Sequence, residues 1–328
     1  MKKKLRLTLA CWDYDRTRAL MDGDVRADGI ELLYLAQPVE ETFFRMMKFR
    51  EFDCSEMSLS SYTASLGQKN PPFIALPVFP SRFFRHSCIF VSPQSGIRRP
   101  EDLKGKRVGV PEYQMTAPVW IRGILSDEYG VKTTDVQHFS GGQEEPGRVD
   151  KLKIELPSHI KLSPIGKGKT LSRMLADGEL DALVAARTPS TFPGEVRRLF
   201  PDFVDKEKDY FRRTRIFPIM HTVVIKREIY DKNRWVAQSL YKAFLKAKNK
   251  AYAAYNQTAA LPVMLPWAVA HAEEARKEMG ADWWPYGLAA NRHVLETFLR
   301  YHHEQGLSKK RLAPEDLFAP ETLESYKV

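Results

Sequence analysis

The stretch LRLTLACW at residues 5–12 begins the pattern that decides the fold. It alternates apolar and polar residues, and a second run of this kind, IELLYLA, occupies residues 30–36. Between that run and SEMSLSS at residues 55–61, VEETFFRMMKFREF at residues 39–52 has the apolar spacing of an amphipathic helix. Strand and helix signals in this order predict βαβ units and therefore a parallel sheet.

Further strand and helix signals follow along the chain. PPFIALPVF at residues 71–79 and RHSCIFVS at residues 85–92 are extended stretches, and KRVGV at residues 106–110 is typical of a short strand. A helix is predicted to begin near Thr116, because Pro118 then falls near its first turn, where a missing N–H is tolerated.

The central and C-terminal regions differ in regularity. Residues 139–168 are polar and Gly-rich without strong periodicity, which predicts a long loop or a short hairpin. TLSRMLADGELDALVAAR at residues 170–187 predicts a helix, a turn and a strand, with Gly178 ending the helix. FPIMHTVVIKREI at residues 217–229 predicts a strand that returns to the first lobe, and the chain from residue 234 is largely helical.

This order of elements predicts an α/β protein of two lobes, one inserted into the other. A chain of 328 residues exceeds a single ordinary core. We expect lobe I to comprise residues 1–92 plus 219–328, and lobe II to comprise residues 93–218. The chain would cross between them near residues 87–95 and 212–222, so a ligand cleft is expected at this hinge.

The charge pattern argues against a nucleic-acid-binding protein. The formal net charge is +10, but basic and acidic residues are interleaved, as in RRPEDLKGKR at residues 98–107 and KREIYDKNR at residues 226–234. No basic stripe results. The excess of positive charge is better explained by a solvated surface or by attraction of small anions.

The cysteines and the N-terminal segment indicate a cytoplasmic protein. Cys11, Cys54 and Cys88 are far apart and have no zinc-site or disulfide spacing, which fits a reducing compartment. The apolar run within residues 1–11 is short and is interrupted by Arg6, so it predicts a first strand and not an export signal. No segment approaches the roughly 20 apolar residues of a membrane helix.

Five stretches resemble one known family. They are LACWDYDRTRAL (9–20), PVEETFFRMMKFREFDCSEMSLSSY (38–62), PVFPSRFFRHS (77–87), GKRVGVPEYQMTAPVWIRGIL (105–125) and LFAPETLESYKV (317–328). Together they resemble the 4,5-dihydroxyphthalate decarboxylase family, from about Leu5 to the C-terminus. More distantly, the element order around LKGKRVGV at residues 103–110 is similar to type II solute-binding proteins of thiamine-precursor and sulfonate transport.

The family resemblance implies a fold like that of type II periplasmic binding proteins. It also implies a cytoplasmic lyase that converts 4,5-dihydroxyphthalate to protocatechuate and CO2 without an organic cofactor. Two alternatives stay open: a non-catalytic binding protein for a small carboxylate, and a decarboxylase of a different hydroxylated aromatic acid. Fold likeness alone does not choose among them.

Such a decarboxylation sets four requirements for a site. Each carboxylate of the substrate lies para to a phenol, so electrons from the phenol oxygen can reach the ring carbon that bears it. The site needs cations for the retained carboxylate, an acceptor at the phenol, a proton donor over the ring, and a less polar place for the departing carboxylate.

Arginines are the candidate cations. Arg82 and Arg85 flank Phe83 and Phe84 in PSRFFRHS, and Arg187 ends the predicted strand DALVAAR, where open α/β sheets place ligand residues. If PSRFFRHS is a strand, Arg82 and Arg85 face opposite sides, so only one of them can face a given cleft. The alternative is a surface arginine pair with a phenylalanine in the core.

The candidate acid and base groups lie near predicted strand ends and crossings. His86 and His221 are candidate proton donors, because each sits at a predicted crossing segment and histidine titrates near neutral pH. Asp13 and Glu112 follow strand ends and are candidate phenol acceptors. The alternatives are hydrogen-bonded core histidines and carboxylates that cap helices.

Further residues are predicted to hold the substrate ring and its charges. Trp12 and Tyr113 are candidate stacking walls, and Ser60 and Ser61 are candidate hydrogen-bond donors to a carboxylate. A helix beginning near Thr116 would aim its backbone N–H groups at an anion.

We predict a small aromatic carboxylate as the ligand, with no nucleic acid and no membrane partner. His86, His221, Asp13 and Glu112 would make a mixed metal-ligand set if they converged, but no local ligand spacing supports a metal site. No metal is therefore predicted, and the decarboxylation route described above requires no electron-sink cofactor. The long aromatic-rich helical tail leaves a homo-oligomer open.

Overall fold

A computed structural model of the chain describes residues 4–323, apart from residues 153 and 262. The strands are β1 (Leu5–Cys11), β2 (Ile30–Ala36), β3 (Cys54–Ser58), β4 (Phe73–Leu76), β5 (Ile89–Val91), β6 (Arg107–Val110), β7 (Gln137–Ser140), β8 (Leu162–Pro164), β9 (Ala182–Val184), β10 (Arg197–Arg198) and β11 (His221–Lys226). The helices are α1 (Asp15–Met21), α2 (Val39–Phe49), α3 (Leu59–Ser65), α4 (Thr116–Tyr129), α5 (Leu171–Ala176), α6 (Phe203–Thr214), α7 (Arg227–Lys232), α8 (Trp235–Tyr255), α9 (Ala268–Met279) and α10 (Arg292–Glu304).

The chain divides into two compact units. The first contains the described residues up to Arg82, then His221–Arg292, and the described residues from Leu312 onwards. The second contains Phe83–Met220 and His293–Arg311.

These units differ in detail from the predicted lobe limits. Residues 83–92 and 293–311 belong to the second unit, although we expected both in lobe I. The segment 293–311 includes most of α10, so the predicted helical tail is divided between the units.

A mixed five-stranded sheet forms the centre of the first unit, in the order β2-β1-β3-β11-β4. β1 pairs in parallel with β2 and β3, which confirms the predicted parallel pairing of the opening strands. β11 instead runs antiparallel to both β3 and β4. Its first residue, His221, therefore lies opposite Ser58, the last residue of β3.

The second unit contains a six-stranded sheet in the order β10-β5-β9-β6-β7-β8. β6 pairs in parallel with β7 and β9, whereas β5 is antiparallel to β9. β7 and β8 are parallel, so the hairpin alternative for residues 139–168 is wrong, because a hairpin joins antiparallel strands. The helix predicted near Thr116 is confirmed as α4.

Helix α10 packs against α4 within the second unit. The rings of Trp120 and Phe298 have centroids 5.6 Å apart. A Cβ at Gly123 would lie 2.1 Å from Cδ2 of Tyr301, so only glycine permits this approach of the two helices.

No helix among the described residues combines the length and the apolar character required to cross a membrane.

Candidate active site

A buried carboxylate lies in the middle of the first unit's sheet. Glu56 is on β3, all of whose residues are buried. Oε1 of Glu56 is 2.6 Å from Nδ1 of His221 and accepts a 2.7 Å hydrogen bond from the Tyr14 hydroxyl. Its Oε2 accepts a 3.1 Å bond from the backbone N–H of Trp12. These partners meet the requirement that a buried charge be paired.

Strand register brings the pair together. Glu56 lies opposite Val223, and Ser58 lies opposite His221, so Glu56 and His221 are diagonal neighbours on one face of the β3–β11 ladder. On the other flank, Tyr14 and Trp12 follow the end of β1, which pairs with β3. A ring edge from α2 also contacts the site, because Phe43 lies 4.8 Å from His221 between ring centroids.

The partners of Glu56 hold its carboxyl in the ionised form. Burial would raise the pKa of the Glu56 carboxyl, but the His221 ring, the Tyr14 hydroxyl and the Trp12 N–H together hold it below its ordinary value. Burial and the Glu56 charge raise the pKa of the Tyr14 hydroxyl and that of the Cys11 thiol. At neutral pH the carboxylate is therefore ionised, while the phenol and the thiol keep their protons.

His221 keeps one ring nitrogen for a ligand. Nδ1 is held by Glu56, and no described residue hydrogen-bonds Nε2. The side chain is 16% exposed, so solvent or a small molecule can reach it. An imidazole oriented by a carboxylate is an arrangement used for general acid–base chemistry.

A cation lies beside this cluster. The guanidinium carbon of Arg16 is 4.0 Å from the ring centroid of Tyr14 and 4.3 Å from that of Trp284. Its Nε donates to the carbonyl of Pro80 at 2.5 Å, and its Nη1 pairs with Asp15 at 3.0 Å. The cluster thus combines an acid–base pair with a rigidly held positive charge.

Two of the predicted residues in the first unit lie at the end of β1. The Trp12 side chain is 43% exposed, and its backbone N–H is the part of the residue that contacts Glu56. Asp13 is also partly exposed and pairs with Arg18 at 2.6 Å. Asp13 therefore has a cation partner, and its role as a phenol acceptor stays a prediction.

The other predicted residues of the first unit, apart from His221, are buried. Ser60 and Ser61 lie in the first turn of α3, and the N–H of Ser61 bonds Oγ of Ser58. Nη2 of Arg82 donates to the carbonyl of Pro285 at 2.7 Å and to the side-chain oxygen of Asn291. Burial lowers the pKa of Arg82 to about 9.

The motif PSRFFRHS continues into the second unit without forming a strand. His86 instead begins a short 3₁₀ turn at His86–Cys88. The alternation of faces that a strand would have given Arg82 and Arg85 therefore does not apply.

His86 is buried among aromatic rings. Its ring lies 5.5 Å from that of Phe200 and 5.3 Å from that of Tyr210. Burial, together with the charges of Arg213 and Lys206, lowers the pKa of His86 to about 4. It is neutral at pH 7, which disfavours it as a proton donor.

Arg85 is a buried guanidinium with weak acceptors. It is 7% exposed, and its Nε contacts the sulfur of Met220 at 3.1 Å. Nη1 lies 3.5 Å from the sulfur of Cys88 and 3.5 Å from the carbonyl of Ala186. The charge of Arg85 also acts on the Glu207 carboxyl, and the predicted role of Arg85 as an anion-binding residue stays a prediction.

Glu112 and Tyr113 are engaged within the second unit. Glu112 is buried and accepts hydrogen bonds from Arg148 at 2.7 Å and from Lys151 at 2.8 Å. The Tyr113 hydroxyl contacts the carbonyl of Gln305 at 3.2 Å, while Arg122 lies 3.9 Å over its ring. These contacts compete with the predicted roles of both residues towards a substrate.

The last two predicted residues lie at ends of elements in the second unit. Thr116 is the buried first residue of α4, and Arg187 is exposed beyond the end of β9 at Val184.

Among the predicted residues, Trp12 and His221 meet at one carboxylate, Glu56. Asp13 and His221 belong to the first unit, and His86 and Glu112 to the second. Within residues 4–323, leaving out 153 and 262, no group of three or more His, Cys, Asp or Glu side chains is placed to hold a metal ion. The predicted cleft stays a prediction.

Comparison with known proteins identifies the family. The chain is 44% identical over 328 residues to the 4,5-dihydroxyphthalate decarboxylase of Comamonas testosteroni, with 99% of each chain covered. It is 43% identical over 212 residues to the enzyme of the same name from Pseudomonas putida, covering 64% of this chain and 82% of that relative. The chain belongs to the 4,5-dihydroxyphthalate decarboxylase family. The resemblance inferred from its motifs is thereby confirmed, although no family model matches the chain.

Solved structures show the fold of this family member. The alkanesulfonate-binding protein of Xanthomonas axonopodis pv. citri, bound to MOPS, matches with a TM-score of 0.53 at 13% identity, covering 98% of each chain. The periplasmic aliphatic sulphonate binding protein of Escherichia coli matches with a TM-score of 0.51 at 14% identity, covering 97% of this chain and 99% of that one. The predicted α/β fold of the periplasmic-binding-protein type is confirmed.

Three residues of the cluster, Tyr14, Arg16 and Glu56, were not predicted from the sequence. Glu56 is an acidic residue inside DCSEMSLSS, a stretch that otherwise suits a buried strand, and this conflict was the available signal. Tyr14 and Arg16 lie in CWDYDRTR, where the start of a helix explained the polar residues equally well. The last five residues of the C-terminal motif, 324–328, and residues 1–3 lie outside the described residues.

Proposed function

We propose that this protein is a carboxy-lyase that converts 4,5-dihydroxyphthalate to protocatechuate and CO2, with His221 as the proton donor. The observation that carries the proposal is the contact between the buried Glu56 carboxylate and His221, in a chain 44% identical to a decarboxylase of that name. The substrate assignment comes from the relatives, and the roles of the residues come from the geometry.

The reaction begins with electron flow from a phenol of the substrate. Loss of the phenol proton pushes electrons to the para ring carbon, which bears the departing carboxylate. A proton added there gives a dienone, and cleavage of the bond to the carboxylate restores the aromatic ring. The phenolate then regains its proton, so one proton is consumed for each CO2 released.

His221 suits the step that protonates the ring carbon. In its protonated form, Nε2–H is the donor, because Nδ1 is occupied by Glu56 at 2.6 Å. The Glu56 carboxylate stabilises the positive ring and fixes its orientation. After transfer, the 16% exposed side chain can take a proton from solvent. Tyr14 and Trp12 hold the carboxylate in place for each cycle.

The proposal includes a cytoplasmic location. Cys11, Cys54 and Cys88 are all buried and unpaired, as expected in a reducing compartment.

A direct assay tests the proposed function. Purified protein is incubated with 4,5-dihydroxyphthalate, and protocatechuate is followed by chromatography while binding is measured by calorimetry. Stoichiometric protocatechuate and CO2 support the proposal. Binding without product, with or without added divalent metal, identifies a binding protein instead. Neither binding nor product overturns the substrate assignment, and a panel of hydroxylated aromatic acids screened by thermal shift then identifies the true ligand.

A further inference from the structure

A cavity of about 310 Å³ lies in the first unit, between α8 and α9. Its walls include the aromatic residues Tyr252, Tyr255, Trp283 and Trp284, and Arg16 also lines it. A volume of this size lies at the lower end of the range found for small-molecule sites. The aromatic walls suit a flat ring with an apolar face.

Arg16 is fixed in place but is not saturated with hydrogen bonds. Its guanidinium lies against the rings of Tyr14 and Trp284, at 4.0 and 4.3 Å. Nε and Nη1 are used by Pro80 and Asp15, whereas Nη2 has no hydrogen-bond partner among the described residues. An immobilised guanidinium with an available donor is suited to bind a carboxylate.

The second cation of the cavity, Lys248, has its ammonium group fully engaged. Lys248 is 4% exposed, and its Nζ contacts both carboxylate oxygens of Asp282, at 2.8 and 2.9 Å. It also donates to the carbonyl of Trp284 at 3.3 Å. Arg16 also has a carboxylate partner, Asp15, which lines the same cavity, but it keeps Nη2 available and is therefore the better partner for an incoming anion.

Tyr14 joins this cavity to the acid–base pair. One face of its ring contacts Arg16, and its hydroxyl donates to Glu56, which holds His221. Arg16, which lines the cavity, is thus connected through Tyr14 and Glu56 to the residue proposed to carry out the proton transfer.

The reaction favours a cation on one carboxylate over the other. The departing carboxylate loses its charge as CO2 forms, so a cation bound to it would stabilise the starting state and slow the reaction. The carboxylate that stays on the ring keeps its charge throughout. A cation there binds the substrate without opposing the loss of CO2.

We infer that Arg16 binds the carboxylate that remains on the ring, and that the cavity beside it accommodates that edge of an aromatic acid. Arg16 is then the residue that selects substrates carrying a second carboxylate. This inference rests on the proposed decarboxylase function, but it concerns binding and can be tested without turnover.

The test compares two ligands that differ by one carboxylate. Calorimetry measures the binding of protocatechuate, which has the retained carboxylate, and of catechol, which has none. The wild type is expected to bind protocatechuate more tightly by about 100-fold, the effect of a charge-assisted pair. Arg16→Gln should bring the ratio of the two affinities close to one. Arg16→Lys keeps the charge but loses the bidentate geometry of the guanidinium, so it should give an intermediate ratio.

Arg18→Gln is the matched control. Arg18 lies on the same helix, is largely exposed and pairs with Asp13, so its loss should leave the ratio unchanged. Thermal melts check that each variant folds. If Arg16→Gln destabilises the fold, Arg16→Lys alone tests the inference. The ratio of its affinities for protocatechuate and catechol should then be about tenfold lower than in the wild type.

The inference is overturned if the wild type binds both ligands equally, or if the folded Arg16 variants keep the wild-type ratio. If the ratio collapses but the wild type makes no protocatechuate, Arg16 remains the carboxylate-binding residue and the decarboxylase proposal fails. The two failures are therefore distinguishable.

Discussion

Nδ1 of His221 lies 2.6 Å from Oε1 of Glu56, although 165 positions separate the two residues in the chain. The contact exists because β11 returns antiparallel beside β3, with His221 opposite Ser58. Breaking such a buried pair leaves an unsatisfied charge or donor in the sheet. Substitutions at either residue are therefore expected to change both activity and stability.

Replacing His221 with glutamine should abolish turnover. Glutamine can keep a hydrogen bond to Glu56, but it cannot carry the proton, so kcat for 4,5-dihydroxyphthalate should fall by about 100-fold or more. Substrate binding measured by calorimetry should persist. His303→Gln, at an exposed position on α10, serves as the control and should keep the wild-type rate. A His221→Gln rate within threefold of wild type would rule out His221 as the proton donor.

Glu56→Gln should weaken the fold in a pH-dependent way. The pKa of Glu56 is lower in the folded protein than its ordinary value of 4.5, so its ionised form stabilises the fold above about pH 4.5. That stabilisation is lost as the pH falls through the folded pKa. In urea unfolding at pH 7, the free energy of unfolding of the variant should be lower than that of the wild type by about 1–3 kcal/mol. This difference should shrink on acidification.

The control for this measurement is Glu51→Gln. Glu51 forms an exposed ion pair with Arg45, and exposed pairs contribute little to stability. If the difference in unfolding free energy between the Glu56 variant and the wild type stays constant from pH 7 to pH 3, Glu56 is not ionised as proposed.

Tyr14→Phe should slow the reaction without weakening binding. The phenylalanine ring can still stack on Arg16, but the 2.7 Å hydrogen bond to Glu56 is lost. We expect a fall of about tenfold in kcat, the order of one lost hydrogen bond to a charged group, with KM nearly unchanged. Tyr230→Phe removes a similar bond, to Glu321 on the same unit, and should leave kcat unaffected.

Glu207→Gln should stabilise the protein at high pH. Burial raises the pKa of Glu207 to about 7, so the folded chain keeps a proton that the unfolded chain has already lost. Stability therefore falls as the pH rises from about 4.5 to about 7 and then levels off. The melting temperature of the variant should exceed that of the wild type at pH 8 and match it at pH 4. An equal difference at both pH values would contradict this ionisation.

Gly123→Ala should disrupt the packing of α10 on α4. The added Cβ would meet the Tyr301 ring at 2.1 Å, and overpacking of this kind costs about 1–3 kcal/mol of unfolding free energy. Gly194→Ala is the control, because a Cβ there has no neighbour within 4 Å among the described residues. Equal losses of melting temperature in the two variants would show that α4 and α10 separate easily.

Much of the local structure was predictable from neighbouring residues. The alternation in LRLTLACW and IELLYLA predicted β1 and β2, and the spacing in VEETFFRMMKFREF predicted α2. Gly178, just after α5, has φ of 75°, the left-handed conformation expected of a glycine that ends a helix. Periodicity and helix-ending residues act within a few positions, so they are visible in the sequence itself.

Pairing over long distances was not predictable in this way. β11 was expected as a strand, but its antiparallel direction and its register against β3 depend on the whole path of the chain between them. Glu56 is an acidic residue in a stretch that otherwise suits a buried strand, but its hydrogen-bond partners could not be named from the sequence. The assignment of α10 to the second unit depends on its packing against α4.

The sequence by itself determined the family, the α/β fold and the position of most strands and helices, because long motifs and short-range patterns encode them. Tertiary structure alone decided that His221 and not His86 is paired with a carboxylate, and that Arg16 lies over Tyr14. The physical reason is that ionisation and hydrogen bonding depend on burial and on neighbours in space. Those neighbours come from strands and loops that are distant in the chain.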